Sequence, residues 1–110
     1  MRSIIMFRID PDYARNKNKT PMEIVLSAIK EHLPGDITQS PEPDGISFTA
    51  TEWDIEVTES SLISDPSTSA ITVVISKIPS GNLLMHHLML LNKETRSDVI
   101  KEYKRNYPQT

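Results

Sequence analysis

Ile4, Ile5, Met6, Phe7 and Ile9, broken only by Arg8, open the chain with apolar residues on both parities of an extended segment. That pattern predicts a strand over residues 2–9 lying well inside a sheet. Asp10-Pro11-Asp12 reads as a turn, and Ala14–Lys19 reads as a polar loop carrying Arg15, Lys17 and Lys19. Thr20-Pro21-Met22-Glu23 places a threonine N-cap before proline at the first helical position and glutamate at the third, a capping box that starts a helix. Met22, Val25, Leu26, Ile29 and Leu33 recur at spacings of three and four, so this helix is predicted to turn one stripe to a core and to stop at Pro34-Gly35.

Ile37 is assigned to a short edge strand, and Ser40-Pro41-Glu42-Pro43-Asp44-Gly45 holds too many prolines for a central strand and reads as a loop. From Ile46 the period falls to two. Ile46, Phe48 and Ala50 share one parity while Trp53, Ile55 and Val57 share the other, so the inward face changes phase at Thr51-Glu52. Two strands, 45–51 and 53–60, follow from that change. Ser64–Ser69 reads as a loop, and the β-branched run from Ile71 to Ile78 predicts a strand over 70–78 antiparallel to 53–60.

Pro79-Ser80-Gly81 ends the sheet region, and helical spacing begins at Asn82. Thr95 with Asp98 three residues on predicts a second capping box, opening a last helix seamed by Val99, Ile100, Tyr103 and Tyr107. The expected architecture is a single α+β domain over residues 1–110. It has an N-terminal strand and helix, an antiparallel sheet of three to four further strands, and two C-terminal helices.

Composition bounds the class. With 37% hydrophobic and 25% charged residues the chain is too apolar for disorder. Its densest apolar stretch, Leu83 to Leu91, is broken by His86 and His87 and is about half of the ~20 residues a spanning helix needs. No membrane segment is predicted. The chain has no cysteine, and its first residues lack the apolar core of a signal peptide, so the expected compartment is the cytoplasm.

Charge changes the picture most. Asp36, Glu42, Asp44, Glu52, Asp54, Glu56, Glu59 and Asp65 lie between Lys30 and Lys77 with no lysine or arginine among them, although the net charge is only −3. Such segregation makes a directional field. Within Glu52–Val57, period two puts three carboxylates on one strand face, spaced by about 6–7 Å at ~3.3 Å per residue. The candidate partner-binding residues are Glu52, Asp54, Glu56, Glu59 and Asp44, meeting lysines and arginines of a basic protein partner. The bland alternative is a solvated sheet face, or acids neutralised by the basic ends within the fold.

The reading that follows is an acidic module that inhibits or neutralises a basic partner protein by occlusion, as an immunity protein or antitoxin does. A second reading is a small homodimeric structural or regulatory subunit. It would associate through residues 83–91, with Leu84, Met85, Leu88 and Leu91 as the contact, because that stretch is apolar almost all round. A metal-dependent hydrolase stands last. There is no nucleophile elbow, glycine-rich cradle or calcium-loop spacing, and the adjacent His86 and His87 point ~100° apart on a helix. Hence no catalytic residue, metal ligand or cofactor is predicted. Nucleic acid is not the expected partner either, because a sequence pI near 5.5 and few aromatics outweigh the basic clusters at 15–19 and at Lys101, Lys104 and Arg105.

Overall fold

In the computed structural model the backbone is described for residues 2–9, 11–61 and 69–106, and side chains for 2–9, 11–60 and 69–95. Element order is β1 (Ser3–Ile9), α1 (Pro11–Asn16), α2 (Pro21–Lys30), β2 (Thr38–Glu42), β3 (Gly45–Ala50), β4 (Trp53–Ser61), β5 (Ser69–Lys77) and α3 (Leu84–Asn106). The strands form one antiparallel sheet in the order β1-β5-β4-β3-β2. This is the expected α+β class. From β2 to β5 the chain meanders, whereas β1 and β2 lie on opposite edges with α1 and α2 between them in sequence.

Period two decides which side chains are covered. Phe7 registers with Ile71, Ile5 with Val73, Val73 with Val57, and Ile55 with Phe48. These residues form one core with Tyr13, Ile24, Val25, Ile29, Leu84 and Leu88 from the helices. The helices therefore cover one face of the sheet. The other face carries Ile4, Met6, Val74, Thr72, Asp54 and Glu56, of which Ile4 is 61% and Met6 49% exposed.

That arrangement corrects the first strand's place. β1 pairs only with β5 and is an edge strand; its second apolar parity, Ile4 and Met6, points to the uncovered face instead of into a second layer. The predicted loop after it is also helical at its start. α1 opens on Pro11 and closes in a Schellman motif, with Lys19 N–H donating to Ala14 O at 3.1 Å and Asn18 N–H to Arg15 O at 3.1 Å. Asn18 supplies the left-handed residue, φ 56°, a role usually filled by glycine, so the stop signal was hidden.

α2 starts where its cap predicts. Thr20 Oγ1 accepts from Glu23 N–H at 3.2 Å and donates to Glu23 Oε1 at 3.2 Å. Its buried stripe is Ile24, Val25, Ala28 and Ile29, rotated from the expected one so that Met22 and Leu26 sit at the margin, and the helix ends at Lys30, before Pro34. β2 begins at Thr38, just after Ile37, and takes in Ser40, Pro41 and Glu42 of the expected loop. Pro41, which lacks an N–H, is tolerated because β2 is an edge strand. The phase change at Thr51-Glu52 is a two-residue hairpin between β3 and β4, as the parity argument requires.

The two predicted C-terminal helices are one, α3, of 23 residues. Thr95 caps nothing: it is 1% exposed inside the helix, and its Oγ1 donates to Asn92 O at 2.9 Å. Back-bonding of this kind lets a threonine sit in mid-helix with its hydroxyl satisfied. The expected seam of Val99, Ile100 and Tyr103, the 64–68 part of the loop and Tyr107 lie outside the residues so described. Among the described residues no helix is long and apolar enough to cross a membrane.

Leu84 and Leu88 are fully buried in this chain's core, with Met85 and Leu91 packed against it. Of the four residues expected to mediate self-association, Leu84 and Leu88 are thus consumed by α3 packing on β1 and α2, while Met85 and Leu91 keep part of their surface. The helix exposes Met89 and Leu90, and Leu83 just before it is exposed as well.

Candidate functional site

The five acids singled out in the sequence do not form one patch. Thr51-Glu52 is the tip of the β3–β4 hairpin, and from it Asp54 and Glu56 run along β4 on the uncovered face, registered with Thr49 and Ser47 of β3. Asp44 lies in the turn at the other end of β3, roughly 20 Å away along a six-residue strand at ~3.3 Å per residue. Glu59 shares the parity of Trp53, Ile55 and Val57 and registers with core-facing Ile71, so it belongs to the opposite sheet face from Asp54 and Glu56. Its N–H donates to Asp44 O at 2.8 Å, which groups Glu59 with Asp44. Glu52, Asp54 and Glu56 remain as a contiguous set.

Ion pairs among the described residues join Arg15 to Asp12 at 2.9 Å and Lys17 to Glu94 at 3.7 Å, and His87 Nδ1 lies 3.8 Å from Glu31 Oε2, a pair that is ionic only when the histidine is protonated; none reaches Glu52, Asp54 or Glu56. Arg15 and Lys17 are therefore engaged by acids outside the acidic middle. Lys77 is the registered neighbour of Asp54 across a β-bulge, yet their charged groups are not within 4 Å. The side chains of Lys101, Lys104 and Arg105 lie outside the described residues.

The uncovered face is graded across its strands. Along one register, exposed Ile4 of β1 neighbours Val74 of β5, which neighbours Glu56 of β4 and then Ser47 of β3. An apolar strip therefore stands beside the acids, with Arg8 exposed on the outer strand and Arg2 exposed just before it. Sequence parity alone showed the acids. It did not show that Ile4 and Met6 would share their face, because that depends on β1 pairing with β5.

At the hairpin end the acids continue into a recess of about 380 Å³, lined by Pro34, Asp36, Thr38, Thr49, Glu52 and Trp53 among others. In the sequence Asp36 is only one member of the acidic run. The loop after α2 brings it to Glu52, 16 positions later, a juxtaposition without local sequence signal. Trp53 is core by parity, as expected, at 6% exposed.

A second cleft of about 430 Å³ lies on the helical side, among Tyr13, Lys17, Ser27, Glu31, His87 and Glu94. Tyr13 O–H donates to Glu94 Oε1 at 3.1 Å, and Lys17 Nζ lies 5.4 Å from the Tyr13 ring centroid. At its edge His32 Nε2 and His87 Nδ1 are 2.8 Å apart with rings edge to face, one hydrogen bond tying the end of α2 to α3. Removing one such bond typically costs about 1 kcal/mol. His87→Ala is accordingly expected to lower stability by ~1 kcal/mol in urea unfolding, and His86→Ala, an exposed neighbour, by less than about 0.5 kcal/mol. Equal values for the two would refute the tie.

No group of three or more histidine, cysteine, aspartate or glutamate side chains is arranged to hold a metal ion among the described residues. No family model, curated protein or solved structure matches the chain.

Proposed function

We propose that the protein is an acidic protein-binding module that occludes a cationic surface of a basic partner with the uncovered sheet face, through Glu52, Asp54 and Glu56. One observation carries this reading: the three carboxylates stand exposed and contiguous with no ion pair among the described residues. Charges on such a rim mainly accelerate encounter and select partners, while affinity comes from a few buried anchors. Ile4, Met6 and Val74, on the same face beside Glu56, supply apolar contact area for that purpose. Binding of this type weakens with salt because exposed charges are screened over ~10 Å at 0.1 M.

The test is capture from native lysate by the tagged protein and by its Glu52→Lys/Asp54→Lys/Glu56→Lys variant, at low and moderate salt. The expected result is a basic protein retained by the parent, reduced by salt and lost in the variant, whose thermal melting stays within a few degrees of the parent's. Capture of the same proteins by both forms would refute the reading. The homodimer reading keeps one observation in its favour, the exposed Met89 and Leu90 on α3 with Leu83 just before it, and concentration-dependent mass would support it.

A further inference from the structure

Two of the three histidines, 55 positions apart in sequence, meet at the edge of the cleft between α2 and α3. His32 stands in the turn that ends α2, its N–H donating to Ile29 O at 3.0 Å, and His87 lies in the first turn of α3. The facing nitrogens, His32 Nε2 and His87 Nδ1, are 2.8 Å apart with ring centroids at 5.0 Å, close to the most that this nitrogen separation allows. Each nitrogen therefore points at the other, and the bond is direct. Such a bond needs one N–H and one bare nitrogen, whichever ring supplies the proton. Glu31 Oε2 lies 3.8 Å from the same His87 Nδ1, and the side chains of His87 and Glu31 are 38% and 66% exposed, so protons reach the pair from solvent.

We propose that this pair is a pH-operated latch on the cleft. With one facing nitrogen bare, His87 is bonded to His32 and the end of α2 is held against α3. With both facing nitrogens protonated, two donors and two positive charges stand face to face, the bond is lost, and His87 turns to Glu31. Among the described residues that carboxylate is the one acid within 4 Å of either ring. The histidine side chain is the one that ordinarily changes charge between pH 5 and 8. The stability carried by the bond is thus fully present at pH 8 and is lost as pH falls through that range; the exposed pair of His87 with Glu31 restores little of it. The other titratable groups on the cleft are Tyr13 and Lys17 of α1, Lys19 after it and Glu94 of α3, with Lys17 and the Tyr13 hydroxyl both engaged by Glu94. Lys30 and His86, next in sequence to the latch residues, are exposed, and the core residues that β1 and β5 turn to the helices are apolar. Release frees the His87 end of a cleft of about 430 Å³ lined also by Ile24 and Ala28.

The test is urea unfolding of the full chain at pH 8 and at pH 5 in four forms, parent, His32→Ala, His87→Ala and the double variant. At pH 8 the cycle is expected to give a coupling of about fivefold in the folding equilibrium constant, the net worth of one hydrogen bond. At pH 5 the coupling is expected to vanish or reverse. In the folded parent, the carbon-13 ring signals of His32 and His87 each titrate in two steps, because each ring reports the other's proton. In His87→Ala the His32 curve becomes a single step, and His86 keeps a single step in every form. Equal coupling at the two pH values, no coupling at pH 8, or independent single-step titration of His32 and His87 overturns the latch. Neither histidine is among the residues reversed in the lysate experiment, so the latch and the acidic-face reading fail separately.

Discussion

Leu88→Asp is expected to leave the chain unfolded at room temperature. Leu88 has no exposed surface and sits with Leu84 in the core where α3 lies over the sheet. An ionised carboxylate there finds no cation in the surrounding core cluster, and a protonated one leaves a polar group unsatisfied. Loss of the leucine contacts alone costs about 2–5 kcal/mol, and the stranded polar group adds ~1–3 kcal/mol. Domains of this size are stable by only about 5–15 kcal/mol. Loss of far-ultraviolet circular dichroism structure and of the cooperative melt is the expected readout. Leu90→Asp, on the half-exposed side of the same helix, is expected to melt within a few degrees of the parent. A folded Leu88→Asp protein with native melting would show that this leucine is surface and would return the 83–91 stretch to the homodimer reading.

Gly45→Ala is expected to break the start of the β3–β4 pairing. Gly45 registers with Thr58, and a Cβ built there runs into the carbonyl group of Val57, within covalent distance of its oxygen. The obstacle is backbone inside a ladder, so relief requires β3 to move away from β4. Overpacking of this kind costs about 1–3 kcal/mol and more when the backbone cannot give. A drop of ~3 kcal/mol in urea unfolding is expected, with faster amide exchange at Ile46 and Val57. Gly35→Ala, whose Cβ meets nothing within 4 Å, is the matched control and is expected to change stability by less than about 0.5 kcal/mol. Similar values for the pair would mean that the close approach at Gly45 is relaxed in solution.

These two sites differ in how visible they were. Leu88 belongs to a run apolar on nearly every side, and the run itself could not say which leucines would face β1 and which water. Gly45 reads in sequence as a boundary glycine between a proline-containing loop and a strand, because its constraint comes from Val57, 12 positions away. Thr95 shows the converse error: a threonine three residues before an acid looks like a helix cap, yet a buried hydroxyl bonded to Asn92 O serves a continuous helix equally well. For the acids, parity separated Glu59 from Asp54 and Glu56 in the sequence already. Charge counting without parity merged them.

Local physics was decided by the sequence alone. The Thr20 cap, the phase change at Thr51-Glu52, the antiparallel pair 53–60 with 70–78, the α+β class and the segregation of acids each depend on residues within a few positions, or on a period of two or 3.6. The tertiary structure decided the rest. It put β1 on the edge and thereby Ile4 and Met6 on the acidic face, it brought Asp36 to Glu52 and Trp53, and it spent Leu84 and Leu88 inside the core. Those outcomes follow from which strands pair and which sheet face the helices cover, and both are set by contacts between segments tens of residues apart that no window of the chain contains.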